Sequence, residues 1–186
     1  MAQADEINCV FMIRIAITGP ESTGKSWLAE RLADHYRTTW VTEYARNYLE
    51  NLDRPYTFDD ILTIAQNQFF QENNLADKTR LLFCDTDFSV TYIWCMVKYG
   101  KCHNWIVEKL QENHYDLYLL CDIDLPWQFD ALREHPEMRS ELLTMYHDVM
   151  VAHGFNYRIV KGQGEQRLQN AISFVNEYLS PTIQNP

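Results

Sequence analysis

Short apolar runs alternate with longer amphipathic segments along this chain of 186 residues. Runs rich in β-branched and aromatic residues, bounded by turn residues, indicate strands. Five such runs predict strands over residues 13–18, 38–42, 80–84, 117–121 and 157–160. Apolar residues at helical spacing predict helices over residues 27–36, 56–74, 88–98, 104–113 and 165–179. Because this alternation is typical of a parallel sheet with helices on both faces, the pattern predicts an α/β fold.

No internal repeat, low-complexity run or linker divides this pattern. A chain of this length fits one ordinary domain. We therefore expect a single domain over residues 1–186. Residues 181–186 follow the last predicted helix, and we expect them to form a loose tail.

Composition narrows the expected partners and location. The 16 Lys and Arg against 26 Asp and Glu give a net charge of −10, which repels polyanions, so we expect no nucleic-acid partner. The sequence has no run of about 18 apolar residues, and the only basic residue near its start is Arg14. We therefore expect neither a membrane partner nor a signal peptide, and we expect a cytoplasmic protein.

The cysteines are the next candidates for chemistry. They form no C-x-x-C pair, and the Cys102-His103 pair lacks the spacing of a zinc site. Free cysteine is among the most buried residue types. We therefore expect reduced core thiols at all five positions, Cys9, Cys84, Cys95, Cys102 and Cys121.

Residues 19–26, GPESTGKS, match the pattern G-x-x-x-x-G-K-[ST] between a predicted strand and a predicted helix. In such a loop, backbone N–H groups and the helix dipole face the phosphates of ATP. Lys25 is predicted to bridge the β- and γ-phosphates, and the Ser26 hydroxyl to bind Mg²⁺. A glycine-rich turn with a solvated lysine is the alternative, and it leaves the order of these residues unexplained. The residues predicted to contact ATP are Gly19, Pro20, Glu21, Ser22, Thr23, Gly24, Lys25, Ser26 and Trp27.

Three carboxylates follow predicted strands, at the sheet edge where ligands of α/β proteins bind. Asp85 is predicted to hold Mg²⁺ or orient the nucleophile, and Asp87 to face the acceptor. A helix cap is the alternative role for Asp87. Glu43 is predicted to take a proton from an acceptor hydroxyl or to hold a ribose.

Polar side chains next to these strand ends complete the candidate site. Arg46 is predicted to bind an anion, although a solvated salt bridge is the alternative for both Arg46 and Glu43. Gln68, on the helix expected to cover the cleft, is preferred to Gln66 as a substrate ligand. The loop Gly162-Gln163-Gly164 is a candidate to approach the adenine, or a flexible turn.

Residues 124–140 follow the fourth strand and contain two arginines. We expect this segment to form a lid over ATP in which Arg133, or otherwise Arg139, neutralises charge on the transferred phosphoryl group. The predicted catalytic residues are Lys25, Glu43, Asp85 and Arg133.

Four segments stand in order, namely GPESTGKS at 19–26, VTEYAR at 41–46, CDTD at 84–87 and DIDLPWQFDALR at 122–133. With them the chain resembles the NadR-type ribosylnicotinamide kinase family over roughly residues 13–178. The resemblance implies a P-loop three-layer sandwich with sheet order 2-3-1-4-5 and a helical lid. It also implies transfer of the γ-phosphate of ATP, with Mg²⁺, to the ribose 5′-hydroxyl of nicotinamide riboside.

Two departures from the family pattern bear on these expectations. The family usually has glycine in the lid motif where this chain has Ala131. Multidomain members carry an adenylyltransferase domain ahead of the kinase, whereas about a dozen residues precede the first strand here, so we expect no adenylyl transfer by this chain. Two alternative functions stay open, a kinase for another nucleoside or nucleotide and a regulatory P-loop ATPase or GTPase.

Overall fold

The computed structural model describes residues 12–180, in which one parallel sheet is the central element. Its strands are β1 Ile13–Thr18, β2 Thr39–Val41, β3 Leu81–Asp85, β4 Leu117–Cys121 and β5 Tyr157–Val160. They lie in the order β2-β3-β1-β4-β5, and every neighbouring pair is parallel. The five predicted strands and the sheet order implied by the resemblance are confirmed.

Helices connect the strands. They are α1 Lys25–Tyr36, α2 Tyr44–Glu50, α3 Phe58–Ala76, α4 Phe88–Tyr99, α5 Asn104–Glu112, α6 Arg139–Ala152 and α7 Gly164–Leu179. Helices α2 and α6 were absent from the predicted set. Helix α2 buries none of its residues and α6 buries only three, so neither has a strong apolar stripe. None of the helices in residues 12–180 is long and apolar enough to cross a membrane.

The two faces of the sheet carry separate cores because side chains alternate along each strand. Ile15 and Ile17 of β1 pack on one face with residues of α1 and α7. Ala16 of β1 and Cys84 of β3 pack on the other face with residues of α3, α4 and α5. All four side chains are fully buried. Two helical layers therefore hold the strand ends, and the loops after them, in fixed positions.

Most cysteines in the described residues are buried free thiols, as the sequence predicted. These are Cys84, Cys95 and Cys121. Cys102 is only half-buried, because it lies in the short connection between α4 and α5 rather than inside an element. Cys9 and the predicted tail over residues 181–186 lie outside the residues that the structure describes.

Candidate active site

The phosphate-binding loop runs from the end of β1 to the start of α1, in the predicted context. Gly19 has a φ of 128°, and a Cβ atom there would lie 2.9 Å from the carbonyl oxygen of Cys121. Gly24 caps α1 with a left-handed φ of 76°. Only glycine adopts these conformations without strain. The two glycines therefore allow the close turn that aims the N-terminus of α1 at a bound anion.

Lys25 folds back over this loop. Its Nζ donates to the carbonyl oxygens of Gly19 and Pro20, at 2.9 Å each, and the Thr23 hydroxyl donates to Pro20 at 2.8 Å. Ser26 and Trp27 follow on the exposed first turn of α1. The ammonium group lies at the rim of the loop, where it can move onto a phosphate oxygen.

A cavity of about 940 Å³ opens beside the loop. Its lining consists of the whole loop and Trp27 together with side chains of α2, α4, the α2–α3 connection and the lid segment. Glu43 and Arg46 line this cavity, whereas Asp85, Asp87 and Gln68 are absent from its lining. The volume is in the range of pockets that enclose small molecules.

Asp85 ends β3 beside β1, with its Cα paired to that of Ile17. The side chain is buried, and its Oδ1 has no hydrogen-bond partner in the described part of the chain. Burial and the nearby Glu43 carboxylate raise the pKa of Asp85 to about 6, while Ser26 and Lys25 oppose this shift. An unpartnered buried carboxylate oxygen beside a loop hydroxyl fits a cation ligand.

Glu43 is the N-cap residue of α2, directly after β2. No ion pair of its carboxylate is found within residues 12–180, so the salt-bridge alternative does not describe it. The side chain lines both the main cavity and a small neighbouring cavity of about 40 Å³. A carboxylate in this position is available to accept a proton from a molecule in the main cavity.

Asp87 adopts the alternative that the sequence left open. It is the N-cap of α4, accepting from the backbone N–H of Ser89 at 3.0 Å and from the Thr18 hydroxyl at 2.6 Å. Burial raises the pKa of its carboxyl group. Because both oxygens are used inside the fold, the structure ties Asp87 to helix capping, and an acceptor contact stays a prediction.

Gln68 and Arg46 are also held by protein partners. The Gln68 amide oxygen accepts from the backbone N–H of Tyr44 at 2.9 Å, which fixes the start of α2 beside Glu43. Arg46 donates to Asp130 of the lid segment at 2.8 Å, so the salt-bridge alternative holds for Arg46. Substrate contacts of Gln68 and Arg46 stay predictions.

The lid segment lies on the phosphate-binding loop. Arg133 donates to the Ser22 hydroxyl at 3.3 Å, and Arg139 donates to the Ser22 carbonyl oxygen at 3.2 Å. The Glu21 carboxylate accepts from the backbone N–H groups of Glu134 and His135 at 3.2 and 3.1 Å. Arg133 lines the main cavity, and Arg139 is absent from its lining.

The helical character expected of the lid needs a correction. Within residues 124–140 the structure has an irregular chain, one 3₁₀ turn over Pro136–Met138 and the start of α6 at Arg139. Hydrogen bonds to Ser22 and Glu21 of the phosphate-binding loop hold this irregular part in place, rather than a regular pattern of backbone hydrogen bonds within it. Ala131 lies within this irregular part.

Arg167 is a residue of the site that sequence reasoning missed. It is fully buried in α7 and lines the main cavity. Its guanidinium pairs with Asp124 at 2.6 Å and donates to the Thr23 carbonyl oxygen at 2.8 Å. The sequence did contain a signal for it, a charged residue on an apolar helix stripe, because Arg167 shares the buried face of α7 with Ala171 and Val175. A charge on such a stripe needs partners, and here they join the phosphate-binding loop to the lid.

The cavity lining contains a second group that sequence reasoning missed. The Trp94 indole donates to the Tyr56 hydroxyl at 3.0 Å, and that hydroxyl donates to Glu134 at 2.9 Å. Lys98 donates to both oxygens of Glu134, at 2.9 and 2.8 Å. These residues come from α4, the α2–α3 connection and the lid. Because they are far apart in sequence and form no motif, only the fold brings them together.

Comparison with protein families identifies the chain. Residues 14–167 match the family model described as "AAA domain". The chain belongs to this family. The match covers most of the chain and includes the phosphate-binding loop, the three strand-end carboxylates and Arg167.

Curated relatives agree with the resemblance seen in the sequence. The trifunctional NAD biosynthesis/regulator protein NadR of Salmonella typhimurium is 30% identical over 134 residues, which is 69% of this chain and 32% of the relative. The Escherichia coli protein of the same name gives the same figures. The chain spans about a third of the length of these relatives.

Solved structures share the fold. A NadR protein in complex with NR has a TM-score of 0.79 at 23% identity, covering 90% of this chain and 51% of that chain. A NadR protein in complex with NAD and AMP-PNP has a TM-score of 0.75 at 22% identity, covering 90% and 50%. A thymidylate kinase from Ehrlichia chaffeensis has a TM-score of 0.60 at 15% identity, covering 94% and 100%.

Proposed function

We propose that this protein is an ATP-dependent kinase that phosphorylates the ribose 5′-hydroxyl of nicotinamide riboside, giving nicotinamide mononucleotide. The observation that carries the proposal is a single cavity lined by Lys25, by the phosphate-binding loop and by the carboxylate of Glu43, which has no ion-pair partner within residues 12–180. The likeness to NadR, which is solved in complex with NR, supports nicotinamide riboside as the acceptor. The NadR complex with AMP-PNP supports ATP as the donor.

The proposed reaction needs positioning and charge neutralisation more than covalent help. The loop amides and Lys25 hold the phosphates of ATP, and Lys25 exchanges its loop carbonyl partners for phosphate oxygens. Glu43 accepts the proton of the attacking hydroxyl. Arg133, already at the loop through Ser22, stabilises the charge that develops on the transferred group.

The residues present fit a Mg²⁺ ion held with the nucleotide. Ser26 and Asp85 would bind it, with Asp85 offering a buried oxygen that has no protein partner. Within residues 12–180 no group of three or more His, Cys, Asp or Glu side chains is arranged for a metal. Two protein ligands are usual for Mg²⁺ bound with phosphates. The ion would supply positive charge to the phosphate oxygens.

The partners in this proposal are small molecules, with no role for nucleic acid or a membrane. The net charge of −10 supports the first exclusion, since it repels polyanions. A cytoplasmic location is part of the same proposal, because ATP is the donor.

Purified protein incubated with ATP, Mg²⁺ and a panel of nucleosides and nucleotides, with products identified by mass, tests this function. We expect nicotinamide mononucleotide as the main product. A different phosphorylated nucleoside would replace the acceptor, and phosphate release without any phosphorylated acceptor would favour a regulatory NTPase. As a control, Lys25→Ala should lower ATP turnover by orders of magnitude with an almost unchanged melting temperature, because Lys25 is not a core residue.

A further inference from the structure

The cations that line the main cavity are almost all neutralised by carboxylates. Every Arg and Lys in the lining except Lys25 forms an ion pair. The pairs are Arg46–Asp130 at 2.8 Å, Arg54–Asp60 at 2.7 Å, Lys98–Glu134 at 2.8 Å, Arg133–Asp130 at 3.9 Å and Arg167–Asp124 at 2.6 Å. Lys25 has no carboxylate partner among residues 12–180. Arg133 shares Asp130 with Arg46 and lies at the longer distance from it. Lys25 and Arg133 are therefore the lining cations without a close carboxylate of their own, and both contact the phosphate-binding loop.

Two of the neutralising carboxylates belong to the lid segment, which lies on the phosphate-binding loop. Asp130 pairs with Arg46 of α2, and Glu134 pairs with Lys98 of α4. Glu134 also accepts from the Tyr56 hydroxyl at 2.9 Å, so its position is fixed from two sides. The hydrogen bond with Glu134 raises the pKa of Lys98, which keeps the pair ionised at neutral pH.

These pairs affect which acceptors can bind. A phosphate or carboxylate on the acceptor needs a guanidinium or ammonium group with free donors. In this cavity, Arg46 or Lys98 would first have to separate from its carboxylate partner. That carboxylate would also repel an anionic group on the acceptor. Glu43 also lines this cavity, and its carboxylate has no ion-pair partner within residues 12–180. The cavity beyond the phosphate-binding loop is therefore suited to an acceptor without an anionic group.

The fold alone does not decide whether the acceptor is a nucleoside or a nucleotide. It is shared by a NadR structure with NR bound and by a thymidylate kinase, whose name refers to a nucleotide. The choice between nucleoside and nucleotide therefore has to come from the side chains that line the cavity.

Building on the proposed kinase function, we propose that Asp130 and Glu134 are specificity-determining residues. By neutralising Arg46 and Lys98 when the lid lies on the loop, they select a nucleoside that carries no anionic group. They reject a nucleoside monophosphate and a nucleoside whose base carries a carboxylate.

The test compares acceptors that differ in charge. Nicotinamide riboside, nicotinic acid riboside and nicotinamide mononucleotide are offered with ATP and Mg²⁺, and kcat/KM is measured for each. Glu134→Gln frees Lys98 while keeping an oxygen for the Tyr56 hydroxyl. It should raise kcat/KM for nicotinic acid riboside, relative to nicotinamide riboside, by roughly tenfold, the scale of one charged hydrogen bond.

Arg46 also pairs with Glu50 at 3.4 Å, so freeing it takes Asp130→Asn together with Glu50→Gln. This double variant should raise kcat/KM for nicotinamide mononucleotide, although Asp130 also lies near Arg133.

Two controls separate specificity from a general change in charge. Glu177→Gln removes the exposed pair with Arg158, at 3.1 Å on α7 and β5, and changes the net charge by the same amount. It should leave the selectivity ratio unchanged. Adding Lys98→Met to Glu134→Gln should cancel the gain, because the freed ammonium group is then missing.

Titration calorimetry reads the same selectivity without turnover. With the donor site saturated by AMP-PNP and Mg²⁺, the wild type should bind nicotinamide riboside but not nicotinic acid riboside, and Glu134→Gln should bind both. A wild type that uses nicotinic acid riboside or nicotinamide mononucleotide as well as nicotinamide riboside, or a Glu134→Gln variant with an unchanged ratio, would overturn the inference. Absence of nucleoside phosphorylation by the wild type would instead reject the proposed function, and calorimetry would still decide the charge selection.

Discussion

The guanidinium of Arg133, in the lid, lies 3.3 Å from the hydroxyl of Ser22, in the phosphate-binding loop. The same Arg133 group donates to the Gln128 carbonyl oxygen at 2.6 Å, and the Gln128 backbone N–H donates to Ser22 at 2.9 Å. A lid arginine is thus held against the phosphate-binding loop. Its position agrees with a role that depends on charge in the transition state.

Replacing Arg133 tests that role. Arg133→Ala should lower kcat on nicotinamide riboside by about 10² to 10³, the scale for one preorganised donor to developing charge, and should change KM much less. Steady-state kinetics gives both constants. An intact kcat would show that the segment after β4 is structural.

Arg139→Ala is the matched comparison in the same segment. Arg139 bonds to the carbonyl oxygens of Leu125 and Ser22 and is absent from the cavity lining. Its loss should therefore reduce kcat less than the loss of Arg133. A larger effect at Arg139 would exchange the roles of the two arginines.

Glu21 provides a second prediction, because its carboxylate accepts from two consecutive backbone N–H groups of the lid. Glu21→Ala should loosen the lid and admit water to the cavity. Acceptor-independent ATP hydrolysis should then rise relative to nucleoside phosphorylation by about tenfold, the scale of one or two hydrogen bonds. Parallel assays of phosphate release and product formation measure this ratio. Glu21→Gln keeps one accepting oxygen, so its ratio of hydrolysis to phosphorylation should lie between those of the wild type and Glu21→Ala. An unchanged ratio in both variants would show that the Glu21 contact does not hold the lid closed.

Glu43 provides a third prediction. Glu43→Gln keeps the shape of the side chain but cannot accept a proton, so acceptor phosphorylation should fall by about 10² to 10⁴. Slow background ATP hydrolysis should fall much less. Asp85→Asn is the control, and it should lower both activities because it acts on the nucleotide and its ion. Equal loss of both activities in the Glu43 variant would remove its acceptor-side role.

A buried carboxyl group on α3 makes stability depend on pH. Burial raises the pKa of Glu72 from 4.5 to about 7, against the opposing effects of the Tyr115 hydroxyl and Arg14. Between these values the folded state keeps a proton that the unfolded chain has released. Stability should therefore fall as pH rises through this window.

Glu72→Gln should abolish this fall, since an amide does not titrate and still accepts from Tyr115. Relative to the wild type, the variant should gain about 1 to 3 kcal/mol of unfolding free energy between pH 5 and pH 8. Urea unfolding at both pH values measures this. Parallel pH profiles for the two proteins would contradict the raised pKa.

The sequence predicted the parts of this structure that local chemistry determines. Strand periodicity located β1 to β5, and the glycines and Lys25 located the phosphate-binding loop, because each requires a particular backbone or charge. Strand ends located Asp85 and Glu43, since the carboxyl edge of a parallel sheet collects such residues. For Asp87 the sequence left open a helix cap, which is the role that its hydrogen bonds give it.

Other parts depend on contacts between distant segments. Arg133 and Ser22 are 111 residues apart in sequence, and Trp94 and Tyr56 belong to different elements. No local pattern predicts such pairs. Helix α2 was missed for a related reason, because it is held by Gln68 and the lid rather than by a buried apolar stripe.

The position of the transferred phosphate tests the central claim most directly. Wild-type protein, ATP, Mg²⁺ and nicotinamide riboside are incubated together, and the product is examined by mass and by ³¹P NMR. We expect one added phosphoryl group whose phosphorus couples to the two 5′ protons of the ribose, identifying nicotinamide mononucleotide. Inorganic phosphate as the only new phosphorus signal, with nicotinamide riboside left unchanged, would contradict the account.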